Sequence, residues 1–181
     1  MDDERPTALG LVVDADRGSL PYRLVHGEAL VAAAAWALGE AGVDLVDATV
    51  PWEALREAGE PVVLHDSLCP LTPPDFIARC VDLALELDAV VVGVRPVTDT
   101  VKVVEDGLVG RTLDRQSLLA VCSPLVLPAR VVAGLERVPT WDFTELVARL
   151  REQDAVETLT APSTAARVAE EADVRLLESL R

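Results

Sequence analysis

Residues 88–124 read DAVVVGVRPVTDTVKVVEDGLVGRTLDRQSLLAVCSP, and this segment decides the fold. Its first part, Ala89 to Val94, is an apolar, β-branched run that predicts a strand buried on both faces, as in parallel α/β sheets. Further on, Glu105-Asp106-Gly107 separates two valine-containing runs, and Asp-Gly in that setting predicts a hairpin with a type I′ turn. The segment therefore predicts a buried strand followed by a projecting β-arm over residues 95–115.

Polar and basic residues flank the predicted hairpin, and two interpretations of them stay open. They are Arg95, Thr98, Thr100, Lys102, Arg111 and Arg115. In one interpretation they are the solvated charges of a β-ribbon, which keep its edge from pairing with other chains. In the other they belong to a binding site. A two-stranded ribbon is marginally stable alone in water, so in both cases it needs a surface to pack on.

The rest of the chain alternates apolar runs with helical patterns, which is typical of an α/β protein. Strands are predicted at Thr7–Val13, Val43–Val50, Val62–Leu64 and Val156–Leu159. Helices are predicted at Glu28–Leu38, Trp52–Ala58, Thr72–Leu87 with Thr72 as N-cap, Gln116–Val121, Ala129–Leu135, Phe143–Gln153 and Ala165–Leu180.

Length and composition predict one domain over residues 1–181, because a chain of 181 residues that is 50% apolar can bury a sizeable core. The formal net charge of −15 argues against nucleic acid or an anionic membrane as partner. No apolar run reaches membrane-spanning length and the first residues are acidic, so we expect a cytoplasmic protein. Its three cysteines are expected to be reduced thiols.

Two places in the sequence suggest a ligand site. The loop Asp14–Ser19 carries Gly18 and lies between a strand and a helix, a layout that either binds phosphate or simply connects the two elements. His65 and Asp66 follow a buried strand, and ligands gather at the carboxyl ends of strands in open α/β sheets. They could form a catalytic dyad, Asp66 could bind a metal, or Asp66 could cap a turn.

Several ordered motifs give a more specific indication. The strings PVTDTVK, TLDR and SP follow one another, and VVLHDSLCPLTPPDFIARCVDLAL precedes them. Together they resemble the methylerythritol-phosphate cytidylyltransferase family of the non-mevalonate isoprenoid route, most clearly from Val62 to Pro128. The resemblance implies a single doubly wound, Rossmann-like α/β domain of the nucleotidyltransferase type with a projecting β-arm. It also implies a homodimer in which the arms of two subunits clasp each other.

The resemblance implies transfer of CMP from CTP to methylerythritol phosphate with Mg²⁺. It makes Asp66 the catalytic aspartate that faces the metal and the substrate, and Gly18 part of the nucleotide loop. Arg17 or Arg23 would supply the positive charge of the family's catalytic lysine. The residues implied for binding the sugar phosphate are Thr100, Arg115, Ser123 and Arg167.

The nucleotide side departs from the family pattern. Pro21 stands at the lysine position, the glycine loop is shorter, and the base-binding segment has no counterpart between Ala58 and Pro61. Cys69 stands where the family has a phosphate-binding arginine. These changes predict a degenerate homologue with weak or no cytidylyl transfer, which binds a protein partner or a small anion such as a sugar phosphate. The alternative is a divergent active cytidylyltransferase, which would use CTP and Mg²⁺.

Overall fold

The computed structural model describes residues 8–97, 102–105, 108–112 and 118–180, with the backbone alone for 102–105 and 108–112. The strands are β1 Leu9–Val13, β2 Leu24–Val25, β3 Glu28–Ala29, β4 Asp44–Leu45, β5 Val62–Asp66, β6 Val90–Pro96, β7 Lys102–Glu105, β8 Leu108–Thr112, β9 Leu119–Leu127 and β10 Val156–Thr160. The helices are α1 Leu30–Glu40, α2 Trp52–Ala58, α3 Pro74–Leu87, α4 Ala129–Gly134, α5 Phe143–Leu150 and α6 Glu171–Ser179. Short 3₁₀ turns cover Leu20–Tyr22 and Ser163–Ala165.

A six-stranded sheet, in the order β10-β6-β9-β5-β1-β4, is the centre of the described part of the chain. Its strands pair in parallel except β9, which lies antiparallel between β5 and β6. Helices α1 and α3 contribute to the core on one face, and α2, α4 and α5 to the core on the other. The predicted doubly wound α/β fold is therefore confirmed.

The central strands are buried on both faces because apolar side chains alternate between the two cores. Val63 and Val91 pack with α1 and α3, whereas Leu64 and Val92 pack with α2, α4 and α5. Burial on both sides explains why these strands read as continuous apolar runs rather than as alternating patterns. Burial of the strands on both faces also fixes the position of the carboxyl end of β5, where His65 and Asp66 lie.

Gly93 marks a close approach between β6 and β9. A Cβ atom at this position would lie 2.6 Å from the carbonyl oxygen of Ser123, and the strand register shifts between Val92 and Val94. Only a residue without a side chain fits such a contact with the neighbouring backbone. The close approach therefore depends on glycine at this position.

The hairpin prediction is confirmed, because β7 and β8 pair antiparallel as a two-stranded sheet of their own. Its turn residues 106–107 lie outside the described residues. The helix predicted at Gln116–Val121 is wrong, because the described part of that segment, from Leu119 onward, belongs to β9. Its leucine and alanine favour helix locally, but residues 119–121 pair with β6, and this pairing overrides that preference.

Other boundaries also differ from the predictions. In the second predicted strand, Val43–Val50, the structure assigns only Asp44–Leu45 to a strand. Helix α6 begins at Glu171 rather than at residue 165, because the side chains of Glu170 and Asp173 form a capping box there.

The start of α1 and the cap of α3 differ as well. Glu28 and Ala29 form a short strand before α1 starts. Pro73 is the N-cap residue of α3, while the hydroxyl of Thr72 donates to the carbonyl of Cys69 at 2.9 Å. Within the described ranges, no helix is long and apolar enough to cross a membrane.

Candidate functional site

A cleft of about 300 Å³ lies at the carboxyl end of β5, on the side where the loop after β1 meets the start of α5. The position follows from the fold, since ligand sites of open α/β sheets lie beyond the carboxyl ends of the strands. The residues that line the cleft are Asp16, Arg17, Asp66, Val121, Cys122, Thr140, Asp142, Phe143, Thr144 and Arg167.

Asp66 is the centre of this cleft, and only 2% of the residue is exposed. Its Oδ1 accepts from the Nε of Arg17 at 3.0 Å and from the backbone N–H of Leu68 at 2.9 Å. Its Oδ2 accepts from the Nη2 of Arg17 at 3.2 Å and from the Nε of Arg167 at 2.9 Å. A carboxylate has about four acceptor positions, so the hydrogen-bonding capacity of Asp66 is filled.

Arg17 is held from several directions and is 8% exposed. Besides Asp66, its Nη1 donates to the carbonyl of Ala15 at 3.1 Å and its Nη2 to the carbonyl of Trp141 at 2.7 Å. Its guanidinium carbon lies 5.9 Å from the ring centroid of Phe143, within range of a cation–π interaction. The guanidinium is therefore fixed by the loop after β1, the end of β5 and the segment that enters α5.

The backbone of the loop after β1 explains the inward direction of Arg17. Asp16 and Gly18, on either side of Arg17, both have φ of +60°. Two residues in the left-handed region make a tight turn, which glycine adopts freely and aspartate tolerates. Gly18 thus shapes the loop that carries Arg17.

Arg167 is the second arginine that binds Asp66. It lies in the segment before α6, where the N–H of Val168 donates to the carbonyl of Leu68 at 2.7 Å. The side chain of Arg167 is 39% exposed. Its Nε binds Asp66, while its two terminal nitrogens make no hydrogen bond to any described residue. Four of the five N–H donors of Arg167 are therefore left for a ligand in the cleft, against one of the five of Arg17.

Ser123 lies beneath the cleft and is fully buried. Its Oγ accepts from the backbone N–H of Asp66 at 2.9 Å and lies 2.5 Å from the Nδ1 of His65. Burial lowers the pKa of His65 to about 4, so the imidazole is neutral at physiological pH. Ser123 and His65 thus support the backbone that carries Asp66, and the Ser123 hydroxyl is already engaged there.

Cys69 and Cys122 add no charge to the site. Burial, together with the nearby Asp66 carboxylate, raises the pKa of the Cys69 thiol well above its usual range. Burial also raises the pKa of Cys122 to about 11. Both thiols are therefore protonated at neutral pH, and the position that Cys69 takes is electrically neutral.

Residues 14–23, which were expected to contact the nucleotide, make hydrogen bonds with one another. Pro21 is buried in the 3₁₀ turn Leu20–Tyr22, and the hydroxyl of Tyr22 donates to Asp14 at 3.1 Å. Arg23 does not reach the cleft. Its side chain is 52% exposed and lies 3.7 Å from a carboxylate oxygen of Glu171, on α6.

The structure thus brings three of the predicted site residues together in the cleft, namely Asp66, Arg17 and Arg167, and Ser123 lies beneath them with its Oγ bound to the N–H of Asp66. Thr100 and Arg115 lie outside the described residues, so their predicted roles stay predictions. The described ranges contain no group of three or more His, Cys, Asp or Glu side chains that could hold a metal ion.

Sequence reasoning missed the residues at the start of α5. The carboxylate of Asp142 caps this helix by accepting from the N–H groups of Thr144 at 2.8 Å and Glu145 at 3.1 Å. The spacing Asp-x-x-Glu before an apolar run is a signal that could have found this cap. The carbonyl of Trp141 is a backbone atom, and no sequence pattern identifies it as a ligand of Arg17.

Comparisons with known proteins agree on one family. The family model "IspD: 2-C-methyl-D-erythritol 4-phosphate cytidylyltransferase" matches residues 22–171. Proteins described as 2-C-methyl-D-erythritol 4-phosphate cytidylyltransferase match from Corynebacterium glutamicum, 41% identical over 125 residues, and Corynebacterium diphtheriae, 33% identical over 131 residues. These matches cover 67% and 70% of this chain but 45% and 48% of the relatives. The chain spans about half the length of the curated relatives it matches.

Solved structures agree in fold. The 2-C-methyl-D-erythritol 4-phosphate cytidylyltransferase from Thermus thermophilus superposes with a TM-score of 0.66 at 22% identity, covering 96% of both chains. The 4-diphosphocytidyl-2C-methyl-D-erythritol synthase from Anaerococcus prevotii superposes with a TM-score of 0.68 at 14% identity, covering 96% of this chain and 95% of that one. At these identities the structural likeness concerns the fold alone.

Proposed function

Since the chain belongs to the 2-C-methyl-D-erythritol 4-phosphate cytidylyltransferase family, we propose that it is a divergent member with weak or no cytidylyl transfer that binds a small ligand or a partner. One observation carries the proposal. Of the two arginines that could replace the family's catalytic lysine, Arg17 is bound to the buried carboxylate of Asp66, and Arg23 lies outside the cleft, near Glu171.

Nucleotidyl transfer depends on positive charges that are free to contact the phosphates. Attack on the α-phosphorus of CTP needs fixed positive charges beside the phosphates, because negative charge is spread over their oxygens in the transition state. In this chain Arg17 is neutralised by a buried partner, and the same loop adds the carboxylates of Asp14 and Asp16. Loss of one such charge costs about 10²–10³ in rate, and here the lysine and the base-binding segment are both lost.

The acceptor side retains features that suit a small polar anion. The terminal nitrogens of Arg167 are free of described partners and can donate two parallel hydrogen bonds to a phosphate. Thr140 and Thr144 line the same cleft, and Asp16 and Asp142 bring carboxylates to it. A sugar phosphate matches this mixture, because its phosphate can bind the arginine while its hydroxyl groups donate to the carboxylates. Thr100 and Arg115 of the arm would complete the site.

We also propose that two copies of the chain associate through the arm. The hairpin β7–β8 forms its own two-stranded sheet, separate from the six-stranded one. Such a ribbon gains stability only by packing on another surface, and a second arm offers one. Light scattering at micromolar concentration should give the mass of a dimer, and a monomer would contradict the proposal.

Calorimetric titration tests the loss of the nucleotide site. CTP with Mg²⁺ should give no binding heat at micromolar concentrations, and pyrophosphate should not be released when methylerythritol phosphate is added. Micromolar CTP affinity would overturn the proposal. Pyrophosphate release at rates well above a blank would establish the alternative, a divergent active cytidylyltransferase.

A second titration tests the acceptor side with inorganic phosphate and methylerythritol phosphate at low salt. Arg167→Ala should abolish binding, because it removes the free donors of the cleft. Arg151→Ala is the matched control, since Arg151 is exposed at the end of α5 and does not line the cleft. Equal binding by both variants would place the ligand elsewhere.

A further inference from the structure

The family resemblance implies a divalent metal at Asp66, and the residues around this carboxylate do not fit one. Mg²⁺ takes oxygen ligands in near-octahedral geometry at about 2.0–2.1 Å and binds carboxylates that have lone pairs available. All acceptor positions of Asp66 are filled by N–H donors, two of them from Arg17 and one from Arg167. Two guanidinium groups beside a carboxylate also repel a further cation.

We propose that the guanidinium of Arg17 takes the place of the divalent cation at Asp66, so that this member of the family carries its cation within the chain. The two charges meet in a bidentate pair, with Nε on one carboxylate oxygen and Nη2 on the other. Planar guanidinium matches carboxylate in this geometry better than any other side chain.

The surroundings of Arg17 distinguish this pair from an ordinary surface ion pair. Both side chains are almost completely buried, and Arg17 also binds the carbonyls of Ala15 and Trp141. The three attachment points belong to the loop after β1, the end of β5 and the segment before α5. Arg17 thus joins three segments that are far apart in sequence, which is what a bound metal does when its ligands come from separate elements.

A metal ion would also have difficulty displacing Arg17 from Asp66. If it left Asp66, its guanidinium would lose its counter-charge while still lying against the Phe143 ring and the Trp141 carbonyl. An unpaired charge at a buried position is strongly unfavourable. Arg167, whose side chain is 39% exposed, could leave for solvent, but its departure would free only one acceptor position.

Manganese titration of the intact chain tests the inference, with the electron paramagnetic resonance signal of free Mn²⁺ as the readout. Wild-type protein and Asp66→Asn should deplete the free signal equally at Mn²⁺ concentrations up to about 1 mM, a range in which exposed carboxylates bind weakly. Stoichiometric binding to wild type that is lost in Asp66→Asn would overturn the inference. This comparison needs no variant at Arg17, and it is made at a temperature at which circular dichroism shows that the less stable Asp66→Asn protein is folded.

The reverse experiment uses variants that free the carboxylate. Arg17→Ala should gain one Mn²⁺ site, and its melting temperature should rise by roughly 3 °C or more at a Mn²⁺ concentration ten times the Kd. Arg23→Ala is the matched control, because it removes an arginine of the same segment from an exposed pair. The double variant Arg17→Ala/Asp66→Asn should lose the gain. A folded Arg17→Ala protein that gains no Mn²⁺ site would count against the inference.

This inference concerns the same site as the proposed function and rests on it for the expectation that no metal-dependent step remains, but the two fail separately. Micromolar CTP binding without Mn²⁺ at Asp66 would overturn the proposed function and leave Arg17 as the resident cation. Mn²⁺ bound at Asp66 of the wild type without CTP binding would do the reverse.

Discussion

Replacing Asp66 with asparagine should destabilise the fold far more than the same substitution at an exposed ion pair. The variant removes the counter-charge of Arg17, which is 8% exposed and cannot turn to solvent without leaving the Trp141 carbonyl. Asparagine keeps one oxygen, which can still accept from Leu68 and the Nε of Arg17. Its amide NH₂, however, would face the Nη2 of Arg17 and the Nε of Arg167. All three groups are hydrogen-bond donors, so these two hydrogen bonds would be lost.

The magnitude follows from this geometry. Removing one partner of a buried ion pair costs about 3–5 kcal/mol, because the remaining charge is left uncompensated. The contact with Arg167 adds little, since that side chain is 39% exposed and water screens its charge. For a chain of 181 residues, a loss of this size lowers the melting temperature by roughly 6–20 °C.

The assay is urea unfolding followed by circular dichroism, with Asp88→Asn as the matched control. Asp88 also accepts from an arginine Nε, that of Arg130 at 2.9 Å, but its side chain is 68% exposed. Asp88 has φ of +46°, a conformation that asparagine tolerates. The control should therefore unfold at the urea concentration of the wild type. If Asp66→Asn also unfolds at the urea concentration of the wild type, the buried ion pair does not stabilise the fold as argued.

Two further predictions follow from buried contacts. The pKa of His65 is about 4 in the folded chain against an ordinary 6.5, so the unfolded chain binds more protons between these values. The free energy of unfolding should therefore fall by about 2 kcal/mol as the pH is lowered from 7 to 5. His65→Asn should remove this part of the pH dependence when unfolding by urea is measured at both pH values. Gly93→Ala should cost about 1–3 kcal/mol in the same assay, because its Cβ would meet the backbone oxygen of Ser123 at 2.6 Å. Gly10→Ala should cost less, since the atom that its Cβ meets is a side-chain methyl of Val43 rather than a backbone atom; equal costs would contradict this reasoning.

The sequence predicts the elements whose signal is local. Val90–Val92 form a buried strand because the run is apolar and β-branched, and Trp52–Ala58 is helical over the predicted range. The hairpin β7–β8 follows from Asp-Gly between two strand-forming runs. In each case a short stretch contains both the element and its boundaries, so no distant contact needs to be known.

The strand β9 shows where local signals fail. Its amino-terminal part contains leucine and alanine, which favour helix, and its pairing with Arg95 and Pro96 of β6 makes it extended. Contacts of this kind join residues far apart in sequence, for example Val94 and Val121, which are 27 positions apart. A single sequence gives no measure of such pairing, so tertiary context decides against the local preference.

The sequence predicts three side chains of the cleft, but neither their arrangement nor the residues at the start of α5. Asp66 and Arg167 were identified through family motifs, and Arg17 as a nearby positive charge. Their mutual contact was not, because Arg17 and Asp66 are 49 residues apart and no spacing rule joins them. The direction of Arg17 depends on the left-handed turn at Asp16 and Gly18, and a one-letter sequence does not state which way a loop turns.

An internal arginine changes what the cleft can select. A metal ion leaves when its concentration falls, whereas a guanidinium attached to the chain is present in every folded molecule. The charge at the base of the cleft is therefore constant, with Arg17 and Arg167 together exceeding Asp66 by one positive charge. Asp16 and Asp142 also line the cleft, so its five charged side chains sum to one negative charge. These carboxylates repel each phosphate group of a triphosphate, whereas a small anion with neutral hydroxyl groups has only one phosphate to be repelled. With Arg17 in place of the metal as proposed above, we expect the cleft to repel a nucleotide triphosphate more strongly than a compact, singly phosphorylated ligand.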